Sequence, residues 1–228
     1  MHIISRKVKK LIQADDGREK KLFSSILFPA SFILLLWIIK IGELVFSINL
    51  SHLGLLPQKL QGLIGIVTAP LIHSGFSHLI SNTLPLLLLG VGILYFYPKS
   101  AFKIFTFVYI IPGIFVWFFG RPAYHIGASG LIYGFVSFLF FSGIIRRDTR
   151  SIALALIVTF LYGSIIWGIF PQNNGISWEY HLFGSLTGIA CAFIFRKSDP
   201  YKRYDWEDEE NEEDGKNLEI SHNRDVEF

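Results

Sequence analysis

Charge is scarce in this chain. Of 228 residues, 17% are Asp, Glu, Lys or Arg, while 51% are hydrophobic and 16% aromatic. A water-soluble domain carries about a quarter charged residues, so a fully solvated exterior around one core is excluded. Cysteine is nearly absent too. The single Cys191 excludes an intramolecular disulfide, and because it lies in an apolar block it reveals nothing about redox compartment. His-Glu-x-x-His, the usual helix motif of membrane zinc proteases, does not occur, and the apolar blocks contain no aspartate for an aspartyl pair. No cleavable signal peptide is read, since the first apolar block follows a polar stretch longer than a normal n-region and is itself long enough to span. Neither a cofactor nor a nucleic-acid partner is expected.

What the chain does have is apolar blocks of about twenty residues, the length a helix needs to cross ~30 Å of hydrocarbon at ~1.5 Å per residue. We read six spans, over 24–48, 76–97, 101–119, 126–145, 151–170 and 178–195, and hence an all-α bundle of six transmembrane helices. Residues 1–23 form a basic N-terminal segment, 24–196 the bundle, and 197–228 a polar tail whose acidic run is expected to be disordered. The connection 49–74 is too apolar for a solvated loop and is expected to lie at the membrane surface or fold back on the bundle. Lys40 and Glu43, three apart, can pair on one helix face. Pro112-Gly113 is placed to kink the third span.

Orientation follows from the distribution of Lys and Arg. They cluster in the N-terminal segment, at Lys99 and Lys103, at Arg146, Arg147 and Arg150, and at Arg196, Lys197, Lys202 and Arg203. These are alternate connections, whereas the opposite side has Lys59 and Arg121. Both termini are therefore expected in the cytoplasm.

Polar residues inside spans are costly and point to function by default. His78 and Asn82 stand in the first turns of the second span, Ser129 in the first turn of the fourth, and His181 in the first turn of the sixth. All three spans enter from the non-cytoplasmic side, so topology alone brings these residues to one depth. Each has a bland reading as well. Ser129 can be a small packing residue, as Gly130-xxx-Gly134 and Gly184-xxx-Gly188 can be packing motifs. His181 can be an interfacial histidine, and His78 and Asn82 can bond across helices. Together they offer chemistry that packing does not require. A serine needs a base within reach to attack a carbonyl, and His181 can be that base and later protonate the leaving amine. His78, Asn82 and a backbone amide at Ser129 can then stabilise an oxyanion, helped by the helix N-terminus.

The stretch His73-Ser-Gly-Phe-Ser-His78-Leu-Ile-Ser-Asn82 resembles the His-rich second-helix motif of the rhomboid family of intramembrane serine proteases. Gly127-Ala-Ser129-Gly130 resembles that family's GxSG nucleophile motif, and His181-Leu-Phe-Gly184-Ser-Leu-Thr-Gly188 its last-helix motif. GxSG by itself is a weak signal, because soluble α/β-hydrolases use a similar elbow. The resemblance implies a Ser129–His181 dyad, an oxyanion hole including His78, Asn82 and the Ser129 amide, and substrates that are single-span membrane proteins cut near the outer leaflet. It further implies a bacterial inner-membrane protein in contact with lipid. Tyr133 is similar to the tyrosine that packs on the catalytic histidine, and His73 to a structural histidine beside Gly127, Gly130, Gly184 and Gly188. The chain departs from the pattern in lacking a Trp-Arg pair in the first outer loop, in having Phe183 where Gly is frequent, and in lacking a glutamate after Gly90.

Two alternatives differ in class. One is a zinc site drawn from His73, His78, His125 and His181, which has no carboxylate at the right depth to serve as a base. The other is a rhomboid-like pseudoprotease that binds transmembrane helices without cutting them. Finally, no carboxylate is expected to orient His181. Glu179 is two residues away and so about 200° around the helix, and it is expected to face the interface.

Overall fold

The computed structural model describes residues 2–171 and 175–201, without the side chains of residues 2–16 and Arg18. Its helices are α1 (His2–Val45), α2 (Gly65–Thr68), α3 (Phe76–Phe96), α4 (Ala101–Phe119), α5 (Ser129–Arg146), α6 (Thr149–Tyr162) and α7 (Trp178–Ile194). There is no strand among the described residues, only an isolated bridge between Leu55 and His125. Among the described residues, five stretches are long and apolar enough to cross a membrane: Glu19–Val45, Phe76–Phe96, Ala101–Phe119, Ser129–Arg146 and Thr149–Ile169. The chain is an integral membrane protein. The shorter α7, 17 residues, packs on α5 more extensively than any other helix does.

Helix α1 starts at His2, but the part of it long and apolar enough to span is Glu19–Val45, close to the expected 24–48. The span expected over 151–170 is matched by the apolar stretch Thr149–Ile169, but only its first part is α-helix: α6 gives way at Tyr162 to a 3₁₀-helix, Gly163–Ile169. α4 runs through Pro112 without a break in its assignment.

α5 is the central helix, packed on α7, α6, α3 and α4. Lipid supplies no hydrophobic drive between helices, so close backbone approach must hold them. Gly130 and Gly134 on α5 face Gly184 and Gly188 on α7, and a Cβ on Gly184 or Gly188 would collide with the carbonyl oxygens of Gly130 or Gly134. This small-residue seam fixes the spacing of the two helices. Aromatic edges join α1 to α4, where Phe28 meets Phe102 and Phe105 at ring separations of 5.1 and 4.9 Å.

The connection 49–75 folds back on the bundle as short helical turns. Leu55 and Ala69 are buried in a satellite core with Val116 and Tyr180. Lys40 pairs with Glu43 at 2.9 Å and also donates to the His73 carbonyl, tying α1 to the entry of α3.

At the opposite end of the bundle, α6 is capped by Asp148, which accepts the Ser151 N–H at 2.9 Å. Asp199 lies in the segment expected to be solvated tail, yet it is buried. Its carboxylate accepts the Lys99 N–H at 2.8 Å and the Ser100 hydroxyl at 2.6 Å, while Arg146 and Arg150 donate to its carbonyl. An acid with those donors is better satisfied against the bundle than in water. The acidic run itself lies outside the described residues.

Candidate active site

The site is assembled at helix starts. Gly127 has φ +113°, a left-handed conformation open to glycine. A Cβ there would sit 2.6 Å from His78 Cε1, so glycine is needed for space as well as for the backbone. The turn is held by Gly127 N–H donating to the Ala69 carbonyl at 2.9 Å and by the paired Leu55–His125 backbone bonds. Ala128 N–H donates to His73 Nε2 at 3.4 Å. Burial, followed by the neighbouring His78, pushes the His73 imidazole down to about 4, so it stays neutral and keeps the lone pair that this bond needs. Ser129 is then the first residue of α5, where its amide has no intrahelical carbonyl to reach.

Ser129 Oγ lies 2.7 Å from His181 Nε2. His181 Nδ1 lies 2.9 Å from the Gly168 carbonyl. A carbonyl can only accept, so Nδ1 carries the proton and Nε2 presents its lone pair to the serine hydroxyl. The Tyr133 ring stacks on the imidazole at 4.0 Å with planes 7° apart, and its hydroxyl donates to the Ile165 carbonyl at 2.8 Å. A Cβ on Gly168 would collide with the Tyr133 hydroxyl. The 3₁₀-helix Gly163–Ile169 therefore supplies two backbone acceptors that orient the histidine and the ring beneath it. The sequence carried no signal for this, since any residue has a carbonyl.

His78 and Asn82 line the same cavity of about 970 Å³ as Ser129 and His181. Ser74 Oγ is 3.2 Å from His78 Nδ1. With the serine donating, His78 Nε2–H is left to point into the site. Asn82 is buried and donates one of its two amide hydrogens to the His78 carbonyl at 2.8 Å, leaving one for a ligand. Among the described residues, no group of three or more His, Cys, Asp or Glu could hold a metal ion, and the four histidines weighed above do not converge.

The Rhomboid domain model matches residues 60–198. The chain belongs to the rhomboid family. An uncharacterized protein of Mycobacterium bovis is 35% identical over 191 residues, covering 76% of this chain and 78% of its own length. One from Mycobacterium leprae is 32% identical over 173 residues, covering 72% and 68%. YdcA of Bacillus subtilis, provisionally named a rhomboid protease, is 26% identical over 132 residues, covering 57% and 65%. Rhomboids are intramembrane proteases or their non-cleaving relatives.

One expectation about this rhomboid is overturned. Glu179 does turn away from His181, but it does not face the interface: it is 2% exposed. Its Oε1 accepts the Arg121 N–H at 3.3 Å and lies 3.4 Å from Arg121 Nε, because the α4–α5 connection folds over the start of α7 and supplies donors there. His125, weighed from sequence only as a metal ligand, sits in the same cluster. Its Nδ1 is 2.6 Å from Ser177 Oγ and its Nε2 is 3.1 Å from the Arg121 carbonyl. Burial holds the His125 imidazole below its ordinary value, so it is neutral and the 3.9 Å approach to Glu179 is no ion pair at neutral pH.

Proposed function

We propose that this rhomboid is a serine endopeptidase that cleaves single-span membrane proteins within the bilayer, near the outer leaflet, by a Ser129–His181 dyad. The observation that carries this reading is the 2.7 Å contact between Ser129 Oγ and His181 Nε2, with the imidazole already in the tautomer a base requires. His181 takes the hydroxyl proton as Ser129 attacks the scissile carbonyl, then returns it to the leaving amine. The Ser129 amide, His78 Nε2–H and the remaining Asn82 N–H face the developing oxyanion. Tyr133 holds the ring plane, and His73, Gly127, Gly130, Gly184 and Gly188 hold the backbone around the pair.

In this reading α7 completes six crossings: at ~1.5 Å per residue its 17 residues rise about 25 Å. Both termini then lie in the cytoplasm of a bacterial inner membrane, on the side rich in Lys and Arg. With that orientation the cavity lined by Ser129 and His181 opens on the opposite side, which supports cleavage near the outer leaflet.

The test is incubation of the detergent-purified protein with a panel of single-span substrates, beside its Ser129→Ala variant. Cleavage by the wild type and none by Ser129→Ala is expected. Equal cleavage by both sinks the mechanism, and no cleavage by a folded wild type that still binds the substrates favours the non-cleaving alternative.

A further inference from the structure

Glu179 is a carboxylate buried among groups the reaction does not use. Burying it costs several kcal/mol unless donors answer it, and an apolar residue would pack against α4 at lower cost. Its contacts are specific. Oε1 meets the Arg121 amide and Nε, while Oε2 has no hydrogen-bond partner and lies 3.9 Å from His125 Nδ1. Arg121 Nη2 donates to the Ile176 carbonyl, the Arg121 carbonyl accepts from His125 Nε2, and His125 Nδ1 accepts from Ser177. Residues 121–125 and 176–179 thus close a ring of bonds. One half continues within four residues to Ser129, the other within two to His181.

The glycine seam packs α5 on α7 from Gly130, which lies against Tyr180, onward, but Ser129 and His181 stand at its very end, where the connection leads in. We propose that Glu179 is a positioning residue, which clamps the α4–α5 connection onto the start of α7 and thereby sets the Ser129–His181 distance. This rests on the reading of Ser129 and His181 as the reacting pair. A misplacement of ~1 Å between reacting groups costs about 10²-fold in rate, so a clamp with no direct part in the chemistry has a measurable effect.

The test compares full-length wild type with Glu179→Gln, Glu179→Ala and Arg121→Ala. For each, the rate at which a fluorophosphonate probe labels Ser129 is measured beside the Tm. Labelling reports the alignment of nucleophile and base without a substrate helix. Glutamine keeps an acceptor for the Arg121 N–H and presents an amide toward His125 Nδ1, so Glu179→Gln is expected within about threefold of wild type. Glu179→Ala and Arg121→Ala are expected to label roughly ten- to a hundredfold more slowly while folded. Arg121 is 35% exposed, so Arg121→Ala decides the matter should Glu179→Ala not fold. Wild-type labelling by either folded alanine variant overturns the clamp, as does a glutamine variant as slow as alanine. A wild type that is never labelled refutes the reacting pair instead. The ring ¹⁵N shifts of His181, which follow its bonds to Ser129 and Gly168 without turnover, then still report whether Glu179→Ala displaces the imidazole, and unchanged shifts overturn the clamp.

Discussion

Two serine–histidine pairs line one cavity, and they are built alike up to a point. Ser129 and His181 are 2.7 Å apart, Ser177 and His125 2.6 Å. Each imidazole gives its other nitrogen to a backbone carbonyl, Gly168 in one case and Arg121 in the other. The surroundings differ. Ser129 opens an 18-residue helix, has the His78 and Asn82 donors beside it, and faces a histidine stacked on Tyr133. Ser177 precedes α7, and its histidine is 1% exposed, enclosed by Arg121 and Glu179. A serine–histidine hydrogen bond therefore does not by itself make a nucleophile. In the reading proposed above, what distinguishes the first pair is a place for a carbonyl and preorganised donors for the charge that would develop on it.

The comparison breaks most sharply at the histidines' serines and bases. His181→Ala is expected to lower cleavage by at least about 10³-fold while leaving the fold intact, measured as kcat/KM on a single-span substrate. A variant retaining a tenth of the rate would remove His181 from the chemistry. The donors come next. His78→Ala and Asn82→Ala are each expected to cost about 10²-fold, the lower end of what an oxyanion donor supplies, because a backbone amide remains. The loss should fall on kcat, and one confined to KM would reassign both residues to substrate positioning. Ser177→Ala tests the other pair. It removes one neutral hydrogen bond worth about 1 kcal/mol, so activity is expected to fall less than about tenfold. A loss as deep as that of His181→Ala would make Ser177 part of the reaction.

A separate effect is on stability. Burial holds both His73 and His125 below the ~6.5 they have in an unfolded chain. Below about 6.5 the unfolded chain takes up protons that the folded protein refuses, so stability rises with pH there and is lost as pH falls. For His73, held to about 4, the contribution is roughly 3 kcal/mol. Melting at pH 7 and pH 5 should show the decline, and His73→Asn should lessen it. A variant with the wild-type slope would mean that His73 is not the group responsible.

The apolar blocks made the bundle legible. α3, α4 and α7 fall within one residue of the apolar blocks read from the sequence; for α3 and α4, both long enough to span, a helix in lipid must satisfy its own backbone and so follows the length of its apolar run. The positions of His78, Asn82, Ser129 and His181 at helix starts were legible for the same reason. The connections were not. The bridging of Leu55 to His125, the docking of Asp199 and the 3₁₀ ending of α6 all depend on backbone groups finding partners far along the chain.

By itself, then, the sequence determined the helical plan, the place of the polar residues in the first turns of their helices and the glycine seam, since each follows from local length or residue size. Tertiary structure decided which histidine nitrogen faces Ser129, through the Gly168 carbonyl, and where Glu179 points, through the donors of Arg121. Both depend on a carbonyl or an amide whose direction is set only when distant segments pack, and backbone groups leave no mark in the identity of their residues.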